Sequence, residues 1–196
     1  LEAFRLIGSE QIQGRASLGG NLCNGSPAGD SVPALIAAGC KAVIAGPKGR
    51  KDVPIENFHL GPGKTILENG EMLVSLKFPK RVSNSADAYL RMTPRTEMDI
   101  AVVGCGVNIS LENDICTHAR VSLGAVAPTP LLIKEASDIM IGSKLDDDTL
   151  DRVSKICMDA CNPINDKRGT VDYRTKVAGV LFKRATKLAA DRIGGN

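Results

Sequence analysis

Between residues 16 and 30 the chain reads ASLGGNLCNGSPAGD, where Gly19, Gly20, Gly25 and Gly29 interrupt every candidate for a regular element. Glycine loses more backbone freedom on ordering than any other residue, so this density predicts a loop that exposes its backbone rather than a helix or strand. Adjacent glycines let the main chain approach a ligand closely, and successive amides in such a turn form an anion-binding nest. Ser17, Asn21, Asn24 and Ser26 add short polar groups suited to hydroxyls and phosphates, and Asp30 adds a carboxylate at the start of the next element. The block has neither the GxGxxG order of a dinucleotide fold nor the GxxxxGK[ST] order of a P-loop, and no GxSxG nucleophile elbow occurs. On its residues alone it is a polar, glycine-rich ligand loop.

The rest of the chain is organised around that loop. SVPALIAAG predicts a short helix, with Asp30 or Ser31 as N-cap, Pro33 in the first turn and Gly39 past the end. Residues 41–45 and 72–78 predict strands, the first closed by the GPKGRK turn, with FHLGPGKT as a second Gly/Pro loop between them. PKRVSNSA, residues 79–86, is a polar connector and divides the chain into domains at 1–80 and 84–193. Beyond it, residues 101–111 and 115–123 predict two strands joined by Glu112-Asn113-Asp114, a hairpin. Gly104-Cys105-Gly106 inside the first of these predicts a bulge or tight packing. Helices follow at 131–139, at 145–160 and from 171 onward. In the last, Val177, Val180, Leu181, Leu188 and Ile193 form an apolar stripe, with Lys183, Arg184 and Lys187 among the basic residues mostly off it. Those cations form either a solvated face or a docking surface for an acidic partner subunit. The fold class is α+β.

Composition excludes several functions. The 196 residues suffice for one domain or two small ones. With 25 Lys plus Arg against 22 Asp plus Glu, the net charge of +3 is too mild for nucleic acid, and 3% aromatic residues without Trp leave no base-stacking surface. No apolar run approaches the roughly 20 residues of a membrane span. Of six cysteines, Cys40 and Cys105 sit in apolar surroundings and predict small core residues. Cys157 and Cys161 would share one helix face as a metal half-site, but His59 and His118 are isolated and no second close pair completes a site. Reduced thiols and a cytoplasmic location follow. The opening stretch LEAFRLIGSEQIQGRA lacks a signal-peptide layout and reads as a helix already under way, so the chain is expected to be a piece of something longer.

Four blocks then carry a resemblance: ASLGGNLCNGSPAGDSVPALIA, IENFHLGPGKTILENGEMLVSLKFP, AYLRMTPRTEMDIAVVGCGVNISL and PINDKRGTVDYRTKVAGVLFKRA. In this order they are similar to the FAD-binding (medium) subunits of the molybdenum hydroxylases, the family of xanthine dehydrogenase and bacterial carbon monoxide dehydrogenase. The resemblance implies the C-terminal half of a PCMH-type (vanillyl-alcohol-oxidase-like) FAD-binding domain over 1–80. Over 84–193 it implies a CO-dehydrogenase-flavoprotein C-terminal-like domain, with a small antiparallel sheet and helices. It implies FAD as cofactor, and as partners a molybdopterin-binding large subunit, a [2Fe–2S] small subunit and the missing N-terminal half of the FAD domain with its GGT-type motif. Electrons would pass from the clusters through FAD to NAD+ or another acceptor. The alternative is a truncated docking or assembly module that holds no flavin by itself.

Residue by residue, the resemblance implies that Ser17, Gly19, Gly20 and Asn21 contact FAD through amides and short side chains, with Asn24 assisting. Asp30 matches an aspartate expected to bind cofactor hydroxyls, while a helix cap is its ordinary role. Leu73 matches an apolar position near the isoalloxazine, or is a plain core residue. Arg91 stands where the family usually has Lys, beside the ring, where a cation favours the reduced flavin; otherwise it pairs with a surface carboxylate. Arg95, Glu97 and Asp99 are expected to form ion pairs, and Asp166, Arg168, Tyr173 and Arg174 to make helix-entry and interlobe contacts. The resemblance assigns this chain no catalytic residue, metal ligand or cluster.

Overall fold

The computed structural model describes residues 2–96 and 98–194; Glu97 lies outside the described residues. The first lobe begins with two single-turn helices, α1 (Glu2–Arg5) and α2 (Glu10–Gln13). The glycine-rich block that follows is not a loop throughout: Leu18–Cys23 forms a helix, α3. Ser17 adopts extended dihedrals of −133° and 154° as its N-cap, and its hydroxyl accepts the Gly20 amide at 3.0 Å. A cap offsets part of what the glycines lose in propensity, and burial of Leu22 supplies the tertiary hold.

Helix α4 (Ser31–Ala37) ends at Gly39, whose φ of +69° suits a residue without Cβ. Strands β1 (Lys41–Gly46) and β2 (Gly49–Pro54) form a hairpin, and β5 (Met72–Lys77) pairs with the other edge of β1, giving the order β2-β1-β5. Between them, β3 (His59–Gly61) and β4 (Lys64–Thr65) form a small hairpin out of FHLGPGKT. Leu22, Val32, Leu35, Ile36, Ile44 and Phe58 are the centre of this lobe's core.

The second lobe is a sheet in the order β6-β7-β8-β9 with helices on one face. β6 (Ser85–Met92) begins inside the expected polar connector, because Ala86, Ala88, Leu90 and Met92 alternate with Asp87, Tyr89 and Arg91 at the period of a strand. β7 (Val103–Glu112) and β8 (Ile115–Gly124) meet at Asn113 and Asp114, whose φ values of 49° and 64° make the mirror-image turn that strand twist favours. Residues 131–139 are not all helical: Leu131–Leu132 form β9 against Ser122 and Leu123, and α5 begins later, at Lys134–Met140. α6 (Asp147–Asp159) is capped by Asp146, whose carboxylate accepts the Thr149 amide at 2.9 Å. α7 (Val171–Gly194) crosses the sheet, but its buried face runs through Ala178, Leu181, Phe182, Ala185 and Ala189, and Val180 is 45% exposed. Of the expected stripe, Leu181 is buried and Val177, Leu188 and Ile193 pack against the core, while Val180 alone turns outward. A Cβ at Gly179 would stand 2.5 Å from Ser154 Oγ.

Glycines also join the lobes. Gly106 and Gly124 face α4 from the sheet surface opposite α7, and a Cβ would stand 2.8 Å from Pro33 O at the first and 2.6 Å from Pro33 Cγ at the second. The Gly104-Cys105-Gly106 segment is therefore tight packing; the register shift between β7 and β8 falls at Ser110 and Leu111. Arg120 on β8 reaches across to Ile36 O at 3.0 Å and Glu56 Oε1 at 3.0 Å, and the Ala125 amide donates to Pro27 O at 2.8 Å.

Candidate functional site

Alternation along β6 turns Tyr89 and Arg91 to the face that meets the first lobe, opposite Gly106 and Gly104 in β7. There they close on Asp30. Arg91 Nη1 donates to Asp30 Oδ2 at 2.8 Å, and the Tyr89 hydroxyl donates to Asp30 Oδ1 at 3.1 Å. The side chains of Arg91 and Asp30 are 4% and 10% exposed, so the partner of Arg91 is a buried carboxylate, not a surface one. Asp30 itself has helical dihedrals of −57° and −37° and makes no side-chain cap bond, which corrects the capping role expected of it. Burial pushes the Asp30 carboxyl up from the usual range, against the pull of Arg91 and the Tyr89 hydroxyl. Burial, with Asp30 beside it, holds the Tyr89 phenol well above its ordinary value.

From this pair the site extends into α3. Asn21 Oδ1 accepts from the Ser31 hydroxyl at 2.6 Å and from the Ser31 amide at 3.4 Å, which ties α3 to the residue after Asp30. Gly19 lies against Leu73 on β5, where a Cβ would meet Leu73 Cδ2 at 3.3 Å. The amides of Leu18 and Gly19, at the start of a helix, have no intrahelical acceptor. At the other end of α3, His59 Nε2 donates to Leu22 O at 2.7 Å, and the Gly63 amide donates to Gly25 O at 2.9 Å. Gly25 needs its φ of +66° there, and the two Gly/Pro segments of the sequence meet at that point. Asn24 is the C-cap of α3, its amide on Gly20 O, and its exposed side chain is not joined to the rest.

Thus the structure brings Asn21, Asp30 and Arg91 into one linked set, Gly19 onto Leu73, and Gly20 onto Ser17. Sequence reasoning missed Ser31 and Tyr89. The signal for Tyr89 was its place two residues before Arg91 on a strand-like alternation. Arg91 also lines a groove with Arg5, Ser9, Gln11, Gln13 and Thr96, whose walls Gln13 braces by donating to Arg5 O and Ile7 O.

The other expected contacts lie apart from this set. Arg174 is buried and donates to Val102 O at 2.7 Å, to Ala125 O at 3.1 Å and to Asp166 Oδ1 at 2.8 Å, while Asp99 pairs with Arg95 and Arg168. Tyr173 is 40% exposed. Cys40 and Cys105 are buried, and burial pushes the Cys40 and Cys157 thiols up to about 12. Among the described residues, no three His, Cys, Asp or Glu side chains gather as a metal-binding group, and no helix is long and apolar enough to cross a membrane.

Residues 1–81 match the family described as the FAD binding domain in molybdopterin dehydrogenase, and residues 88–189 match the CO dehydrogenase flavoprotein C-terminal domain. The chain is 32% identical over 188 residues to the carbon monoxide dehydrogenase medium chain of Hydrogenophaga pseudoflava, covering 96% of this chain and 65% of that one. It is 31% identical over 190 residues to the xanthine dehydrogenase FAD-binding subunit of Escherichia coli O157:H7, with the same two coverages of 96% and 65%. A solved carbon monoxide dehydrogenase from Hydrogenophaga pseudoflava, lacking the Mo-pyranopterin moiety of its cofactor, superposes with a TM-score of 0.94 at 32% identity, over 97% of this chain and 66% of that one. The chain therefore spans 65% of the length of the two relatives.

Proposed function

The chain belongs to the family of FAD-binding subunits of the molybdenum hydroxylases, and on that premise we propose that it holds FAD and passes electrons from a partner's [2Fe–2S] clusters to NAD+ or another acceptor. In this reading it is one subunit of an oxidoreductase whose molybdopterin-binding large subunit handles the substrate. The observation that carries the reading is the linked set of Asn21, Ser31, Asp30 and Arg91, because it joins the glycine-rich helix to a buried cation across two lobes.

The residues present fit such a cofactor. Gly19 and Gly20 keep the first turn of α3 beyond Leu18 free of side chains, so a diphosphate can approach the amides of Leu18 and Gly19. Leu73 offers an apolar wall beside Gly19, and Arg91, buried on Asp30, is one of the residues lining the groove. Bound FAD supplies the redox chemistry, taking up and giving out electrons. The chain's own part is to bind and orient it and to set the charge around it. The same reading divides the chain into domains at 1–80 and 84–193 and places it in the cytoplasm; the two matched family ranges support the division.

FAD added in excess to the purified chain tests this. Flavin fluorescence should quench saturably, and Gly20→Val, whose side chain would crowd Ser17 at an exposed position, should weaken binding at least about tenfold, or 1.4 kcal/mol. Binding is expected to be weak enough for FAD to be lost on gel filtration, since Ser17, Gly20 and Asn24 are exposed and enclose no ligand by themselves. No quenching at any FAD concentration overturns the reading.

A further inference from the structure

A cation placed alone beside a flavin would act with its full charge. Arg91 is not alone: its guanidinium rests on Asp30 at 2.8 Å, in a site where both side chains are nearly dry. The charge that Arg91 presents is therefore set jointly with Asp30, and the second oxygen of Asp30 is held by Tyr89 at 3.1 Å. Tyr89 is 5% exposed, and its hydroxyl fills the space over Gly104, where a Cβ would stand 2.6 Å from it. Gly104 is also the partner of Arg91 in the β6–β7 register. The two strands thus place a tyrosine hydroxyl, an arginine and a cavity of glycine's size around one carboxylate from the other lobe.

We propose that Tyr89 is a positioning residue of the flavin site: its hydroxyl orients Asp30 so that the carboxylate stays on Arg91 and the two form a neutral pair behind the groove that Arg91 lines. The inference rests on the flavin reading above and adds to it a residue that does not itself reach the groove. Among the described residues, Arg5 of α1 and Glu10 of α2 line the groove with Arg91. Tyr89 and Arg91 come from β6 and Cys105 lies behind Tyr89 on β7. From α1, Glu2, itself paired with Arg192 of α7, accepts the Tyr89 amide at 3.0 Å.

Each component has a different expected effect. In Tyr89→Phe the ring stays and the donor goes, so Asp30 loses a hydrogen bond to its charged form and takes up a proton more readily. Arg91 is then less neutralised, and electrostatic attraction favours the negative charge that reduction adds to a flavin, so the potential moves to a more positive value. Asp30→Asn should move it further in the same direction. Arg91→Ala should move it little or to a more negative value, because an unpaired buried carboxyl protonates and keeps the site neutral.

The test uses the full chain and two readouts. Titration of the Asp30 carboxyl by carbon-13 NMR needs no flavin, and its midpoint should rise in Tyr89→Phe. Because the chain has two tyrosines and no Trp, tyrosine emission in a Tyr173→Phe background also reports on Tyr89, and Asp30→Asn should brighten it by removing the carboxylate quencher. With FAD bound, the potentials should fall in the order Asp30→Asn, Tyr89→Phe, then the unaltered chain, from most to least positive. An unchanged Asp30 midpoint in a folded Tyr89→Phe chain overturns the proposal. A raised midpoint with an unchanged flavin potential overturns its bearing on the flavin. A chain that takes up no FAD instead sinks the functional reading, and the titration still decides whether Tyr89 positions Asp30.

Discussion

In the second lobe a 24-residue helix lies across strands of 8 and 10 residues, whereas the helices of the first lobe run 4, 4, 6 and 7 residues and its longest strands 6. Helices shorter than about 12–15 residues are marginal in water by themselves, so those of the first lobe persist only through tertiary contacts. Some of these contacts are internal, such as His59 on Leu22 O and Asn21 on Ser31. Others come from the neighbouring sheet: Arg91 on Asp30, Arg120 on Ile36 O and Glu56, and the glycine surface beneath Pro33. The difference teaches how the labour is divided. The second lobe is a platform with its own core, and the ligand-facing elements are short pieces whose geometry that platform sets.

Core truncation offers the largest effect and the sharpest way to break this comparison. Phe182→Ala, at a fully buried position on α7, should cost about 3–5 kcal/mol and unfold both lobes in a urea titration. Phe58→Ala should cost a similar amount in the first lobe, yet leave amide protection in β7 and β8 nearly intact. Equal loss of protection in both lobes from Phe58→Ala would show that the platform is not independent.

Removing one member of the buried pair comes next. Asp30→Ala leaves Arg91 without its carboxylate in a nearly dry site and should cost about 3 kcal/mol. The loss should appear as separation of the thermal transition into two steps, because the pair bridges the lobes. A single sharpened transition would argue that the contact matters only within one lobe.

Ser17→Ala is expected to be smaller and local. Loss of the cap to Gly20 should cost about 1 kcal/mol and raise amide exchange across α3, with no change in β6–β8. Spread of the effect into the sheet would mean that α3 contributes to the platform.

The smallest effect concerns pH. The hydrogen bond from Arg192, together with that from the Tyr89 amide, holds the Glu2 carboxyl below the usual carboxylate range, although burial opposes them. A carboxyl lowered by folding contributes its full stability above its unfolded value and loses it as pH falls through the lowered one. Glu2→Gln should therefore leave a slightly less stable chain at neutral pH and flatten the acid limb of its stability curve. An acid limb of unchanged slope would remove Glu2 from the contacts that tie α1 to the second lobe.

Much of the architecture was legible because it is locally encoded. Asn113-Asp114 between two apolar runs specifies a hairpin through the dihedrals those residues tolerate, and Gly39 ends α4 for the same kind of reason. The helix expected over 145–160 forms over Asp147–Asp159, two residues late at its start. The site was legible differently: the glycine-rich stretch with Ser17, Asn21, Asn24 and Asp30 stood out on its residues, Leu73 and Arg91 were named by resemblance only, and spacing alone did not join them.

What the sequence determined by itself, then, is wherever a few neighbouring residues restrict their own backbone: turns, caps, helix ends and the period of β1, β7 and β8. Tertiary structure alone decided the rest. Leu18–Cys23 is helical despite two glycines because Leu22 is buried and Gly19 fits against Leu73, more than 50 residues away. Asp30 has the sequence position of a cap, but a cap accepts a single amide in water-exposed surroundings. In the folded chain a guanidinium and a phenol from another lobe reach the same carboxylate inside a dry interface, where charge-assisted bonds are stronger and leaving a charge unpaired is costly. Val180 matches the helical period yet faces solvent, since the buried face of α7 follows the shape of α6 and the sheet rather than hydropathy. Contacts of this kind depend on which distant groups meet, and no window along the chain contains them.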